Sequence, residues 1–144
     1  PKLNNLNCSN NNIASLPDNI NKVLPNLLVC NVSNNKLTSL SINTTNELLV
    51  YNSLWYLDCS YNKLNELPYN INIIFPKLYY LSCESNKLKT LPLSLLDCKK
   101  LKYIHFNHNN IDNLPKKLFR LTHKLNQIRI NKIKRINPNF FNNN

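Results

Sequence analysis

Apolar residues recur along the chain in a fixed frame, L-x-x-L-x-C/V/F-x-x-N-x-L-x-x-L(P), which begins at Leu3, Leu27, Leu54, Leu78 and Leu101. The starts lie 24, 27, 24 and 23 residues apart, and a sixth copy begins near Leu125. A self-similar period of this length decides the fold ahead of any local propensity. With the first leucine of each copy as slot one, slots four and six alternate with polar positions, the mark of a short strand with one side turned inward. Asn11, Asn35, Asn62, Asn86 and Asn109 occupy slot nine. An amide there has both donors and acceptors for the backbone of its own turn and the next, so a buried ladder is predicted. Leu-Pro closes four copies, at Leu16-Pro17, Leu67-Pro68, Leu91-Pro92 and Leu114-Pro115. Proline's fixed φ and missing N–H discourage a further strand, so short 3₁₀ or irregular turns are predicted for the return path.

The stretches "LNNLNCSNNNIASLP", "LLVCNVSNNKLTSL", "LWYLDCSYNKLNELP", "LYYLSCESNKLKTLP" and "LKYIHFNHNNIDNLP" resemble the leucine-rich-repeat superfamily. The resemblance implies an α/β-type, right-handed solenoid with parallel strands on its concave face and short turns on its convex face. It also implies protein recognition without catalysis, and the Leu-Pro return resembles the intracellular class found in signalling scaffolds and pathogen effectors. Each repeat in such a stack touches only its neighbours. The departures are the absence of glycine, the longer second copy with Leu40-Ser41 where others have Leu-Pro, and a sixth copy whose asparagine moves to Asn131. Residues 1–144 read as one domain, and the start in mid-pattern reads as part of a longer array.

Stacking turns each slot into a column. Slot three runs Asn5, Val29, Tyr56, Tyr80, Tyr103, Gln127, and slot two runs Asn4, Leu28, Trp55, Tyr79, Lys102, Asn126. Both are expected on the concave surface. Aromatics bury a large area and immobilise few torsions, which suits them as binding anchors. Tyr56, Tyr80 and Tyr103 are therefore the expected centre of a partner-binding patch, flanked by Trp55, Tyr79 and Tyr61. Aromatics also pave exposed sheets, because cross-strand pairs stabilise them, and Trp55 is placed to fold over the strand's entry edge. Slots five and seven add Asp58, Glu84, His105 and Arg129, an acidic-to-basic gradient that would orient a charged partner.

Charge adds a second reading. The chain carries a net +11, with 7 Lys/Arg against 6 Asp/Glu in residues 1–98 and 11 against 1 in residues 99–144. The basic third, including Lys132, Lys134 and Arg135, could attract nucleic acid or an anionic surface. A spacer role for the repeats is the third possibility. Asparagine makes up about a fifth of the chain, lysine and isoleucine are abundant and glycine is absent, a mixture that looks like an AT-rich genome; a cytoplasmic location is expected, in a host's cytoplasm if the source is a parasite or a large virus.

No catalytic, cofactor or metal site is predicted. Asp58, Ser82 and His105 share one column, but serine stands in the middle, with Asp58 about 10 Å from His105 across two strands, so no triad forms. His105 and His108 are separated by three positions of extended chain, which point to different faces. The five cysteines fit no ligand or paired framework and read as free thiols of a reducing compartment. Cys8, Cys30, Cys59 and Cys83 fall in inward slots; only Cys98, beside Lys99 and Lys100, has the electropositive setting of a reactive thiol. Sequons such as Asn43-Thr44-Thr45 are expected by chance in so asparagine-rich a chain. No apolar stretch approaches the roughly 20 residues of a membrane span.

Overall fold

The computed structural model describes residues 2–17, 19–40, 50–112 and 114–129. Slots three to five of every copy form a strand: β1 Asn5–Asn7, β2 Val29–Asn31, β3 Tyr56–Asp58, β4 Tyr80–Ser82, β5 Tyr103–His105 and β6 Gln127–Arg129. The strands make one parallel sheet in the order β1-β2-β3-β4-β5-β6. Register is slot against slot, so Val29, Tyr56, Tyr80, Tyr103 and Gln127 stand side by side. A slip of one residue would turn the slot-four leucines to solvent, which fixes this register. The three extra residues of the second copy leave the pairing of β2 with β3 unchanged.

Slots one, four, six, eleven and fourteen fill the interior. In the third copy these are Leu54, Leu57, Cys59, Leu64 and Leu67, and in the fourth Leu78, Leu81, Cys83, Leu88 and Leu91, all buried. Each such leucine stabilises by about 1.5–3 kcal/mol relative to exposure. The first copy is looser: Leu3 is exposed and Leu6, Cys8, Ile13 and Leu16 are only partly covered, because it packs against a single neighbouring repeat.

The asparagine ladder binds the copies together. Asn62 Nδ2 donates to the carbonyls of Cys59 and Ser60 in its own turn, both at 3.1 Å, and to Val32 of the preceding copy at 3.0 Å. Its Oδ1 accepts the N–H of Leu37 at 2.9 Å. Asn35, Asn86 and Asn109 repeat the pattern, reaching back to Cys8, Cys59 and Cys83 and accepting from Ile13, Leu64 and Leu88. Beside the ladder, the thiols of Cys59 and Cys83 donate forward to the carbonyls of Ser82 and His105, at 3.1 and 3.3 Å.

Slot eight is a left-handed position in five copies: Asn10, Asn34, Tyr61, Ser85 and His108 have φ between 52° and 59°. Asparagine tolerates this region and glycine would suit it, but Tyr61 takes it at a steric cost.

The return path differs in part from the predicted turns. Single turns of α-helix occur at Ile20–Val23 (α1), Ile71–Ile74 (α2) and Arg120–Lys124 (α3), while Leu93–Asp97 and Lys116–Phe119 are 3₁₀. The 24-residue copies carry an α turn, and the 23-residue fourth copy has 3₁₀ alone. An α turn holds 3.6 residues against 3.0 for 3₁₀, which takes up the extra residue within the same span. Lys124, at the end of α3, donates from Nζ to the carbonyls of Leu96 and Cys98, at 2.7 and 2.6 Å, closing the last return turn onto the one before it. Ser41, the Asn43 sequon, the displaced Asn131 and the basic Lys132, Lys134 and Arg135 lie outside the described residues.

Candidate functional site

With slot four turned inward, slots three and five project from the open face of the sheet. Slot two enters it at the edge where each strand begins. Tyr56 and Tyr80 stack at 4.5 Å between centroids with planes 6° apart, and Tyr103 continues the row at 6.3 Å from Tyr80. Trp55 meets both Tyr56 (5.9 Å) and Tyr79 (6.3 Å) edge to face, and Tyr79 lies 5.4 Å from Tyr103. These five rings form one aromatic surface across β3, β4 and β5, outside the leucine interior. Tyr56, Tyr80 and Tyr103 are half-buried by one another, whereas Trp55 and Tyr79 remain 42% and 38% exposed. Mutual coverage and openness coexist here: the rings pave the sheet, each pair contributing about 0.5–1.5 kcal/mol, and still offer their outer faces.

Burial raises the pKa of the Tyr56 and Tyr80 phenols, helped by the carboxylate of Asp58 and, for Tyr80, by its neighbour Tyr56. A shared hydrogen bond with Tyr103 does the same for Tyr79. The phenols therefore remain neutral donors and acceptors at ordinary pH.

The polar residues of the predicted gradient are largely engaged within the sheet. Asp58 Oδ1 accepts both the N–H and the hydroxyl of Ser60, as the side chain of Asn31 accepts from Ser33 and that of Asn7 from Ser9. Glu84 Oε1 accepts from Asn107 Nδ2 at 2.7 Å. His105 is only 7% exposed, beneath the edge of the Tyr80 ring. Its Nδ1 lies 3.0 Å from the Tyr80 hydroxyl and its Nε2 lies 3.2 Å from Gln127 Oε1. His105 thus links the Tyr80 hydroxyl to the Gln127 amide and braces the Tyr80 ring. Arg129 is exposed at the end of β6. Tyr61, in the left-handed turn after β3, is 59% exposed and stands on the exit side, away from the five-ring network.

The thiols are set for packing. Burial pushes Cys30 up to about 12 and Cys98 to about 11, and Cys59 and Cys83 are raised as well. Cys98 is 2% exposed, and although Lys124 opposes the shift, desolvation outweighs it. Among the described residues, no group of three or more His, Cys, Asp or Glu is placed to hold a metal, and no helix is long and apolar enough to cross a membrane.

One feature lies outside the repeat frame. At the strands' entry edge a cleft of about 540 Å³ is lined by Leu28, Ser53, Trp55, Lys77, Tyr79 and Lys100. Its floor comes from the slot-two column, and its lysines come from the residue before slot one, which is lysine at Lys2, Lys77, Lys100 and Lys124.

No family model and no curated protein matches the chain. Solved structures are similar to it. A leucine-rich-repeat protein of Leptospira interrogans superposes with a TM-score of 0.70 at 33% identity, covering 88% of this chain and 30% of that one. The functional domain of InlJ from Listeria monocytogenes, which includes a cysteine ladder, gives 0.70 at 29% identity, covering 93% and 26%. A chain of the Drosophila melanogaster SNF/U2A' complex gives 0.66 at 20% identity, covering 94% and 76%, a likeness of fold alone. The sheet, the asparagine ladder and these likenesses agree: the chain belongs to the leucine-rich-repeat superfamily. It spans less than a third of the Leptospira and Listeria chains.

Proposed function

We propose that this chain is a non-catalytic interaction module that holds a protein partner against the concave face of its sheet. The reading is carried by one observation, the continuous surface of Trp55, Tyr56, Tyr79, Tyr80 and Tyr103 over three adjacent strands with its outer faces open. Rigid aromatic groups already held by neighbours lose little entropy on binding, which is what an anchor requires. Asp58, Glu84, His105 and Arg129 act mainly by holding or flanking the rings, and Tyr61 is a peripheral contact. The five unpaired cysteines suit the reducing, intracellular setting that the sequence suggests.

The test is capture of a partner from the native cell by the wild type and by a Tyr56→Ala plus Tyr80→Ala variant. The variant is expected to lose at least about tenfold in affinity, and wild-type capture to weaken only mildly between about 50 and 200 mM salt. Full retention by the variant overturns the reading. A steep salt loss with recovered nucleic acid would favour the basic C-terminal third as the binding surface.

A further inference from the structure

The entry-edge cleft has a composition unlike the rest of the open face. Its floor is apolar, made by Leu28, Trp55 and Tyr79, which are 37%, 42% and 38% exposed. Lys77 and Lys100 stand on its rim, and Lys102 follows Tyr79 in the slot-two column of the next strand. Among the described residues no carboxylate lines it; Asp58 and Glu84 lie toward the strands' exit side, where Ser60 and Asn107 occupy them. The backbone beneath is already paired: the Leu28 carbonyl accepts from Trp55 and Tyr56, and the Trp55 carbonyl from Tyr79 and Tyr80. A ligand here must therefore be recognised by side chains alone, through an apolar body that fills the cleft and a negative charge that meets the lysines.

We infer that this cleft is a docking site for an acidic, hydrophobic segment of a protein partner, one in which bulky aliphatic or aromatic side chains are flanked by carboxylates. The inference rests on the protein-binding reading and deepens it by naming the chemistry of the partner. Charge complementarity carries it, since Lys77 and Lys100 line an apolar surface that no carboxylate among the described residues shares. The ring geometry argues against a nucleic acid, because Trp55 and Tyr79 meet edge to face and present no flat platform on which successive bases could stack.

Trp55 is the chain's single tryptophan, so its emission under selective excitation reports directly on the cleft. The full chain would be titrated with a capped peptide bearing two leucines between paired aspartates, with the same peptide carrying lysines for aspartates, and with single-stranded oligothymidylate. The acidic peptide is expected to shift or quench the emission. Lys77→Glu plus Lys100→Glu should weaken it by about tenfold or more, with an unchanged circular dichroism spectrum because both side chains are exposed. Equal binding of the lysine peptide, stronger binding of the oligonucleotide, or charge reversal without effect would each overturn the inference. The Tyr56→Ala plus Tyr80→Ala variant separates the two proposals. It tests the aromatic anchor in partner capture, while the cleft stands or falls on the Trp55 signal.

Discussion

At the scale of single residues, the ladder asparagines contribute most per side chain. Asn62 satisfies three carbonyls and one N–H, and it is 8% exposed. Removing it would leave several buried backbone groups unpaired, so Asn62→Ala is expected to cost about 3 kcal/mol in urea unfolding. The Asn11 side chain is exposed and donates to carbonyls of its own turn, so the same change there should cost under about 1 kcal/mol. Tyr61 offers the opposite case. Its φ of 53° strains a bulky residue, and Tyr61→Asn should raise stability by about 1 kcal/mol, seen as a higher urea midpoint. None of this strain was legible in the sequence, because slot eight holds Asn, Asn, Tyr, Ser and His and shows no glycine to announce a left-handed turn. The ladder was legible, since one residue type recurred in one slot.

At the scale of elements, the strand positions could be read from the alternation of slots four and six, and all six strands fall on slots three to five. The return turns could not be read as closely. Their helical character depends on one residue more or less in a connection of fixed span, which local propensity over four residues does not encode. The open face was legible as columns of side chains, but the depth of each residue was not. His105 shares its column with exposed Arg129 yet is buried, with the Tyr80 ring and the Gln127 amide against it. The entry-edge cleft escaped the frame because Lys77 and Lys100 precede slot one. Lys124→Met should loosen the docking of α3 on the preceding return turn. Hydrogen exchange in residues 93–98 should accelerate several-fold, since the Leu96 and Cys98 carbonyls lose their charged donor.

At the scale of the whole molecule, four buried thiols give the fold a one-sided dependence on pH. Cys30 and Cys98 titrate near 12 and 11 in the native state, with Cys59 and Cys83 also raised, against an ordinary value of 9.0. Above about pH 9 the unfolded chain releases these protons while the native state keeps them, so the unfolded state binds fewer protons and stability falls as pH rises. Each thiol removes up to about 1.4 kcal/mol per pH unit in that window. Thermal melts between about pH 8 and 11 should show the decline, and Cys30→Val with Cys98→Ala should flatten it. The ladder sets a different limit on the molecule, because every asparagine bridge spans two adjacent copies and none reaches a third. Pulled from its two ends, such a chain has no girder running its full length. It should give way like a zip fastener, releasing one copy at a time in steps of about 80 Å.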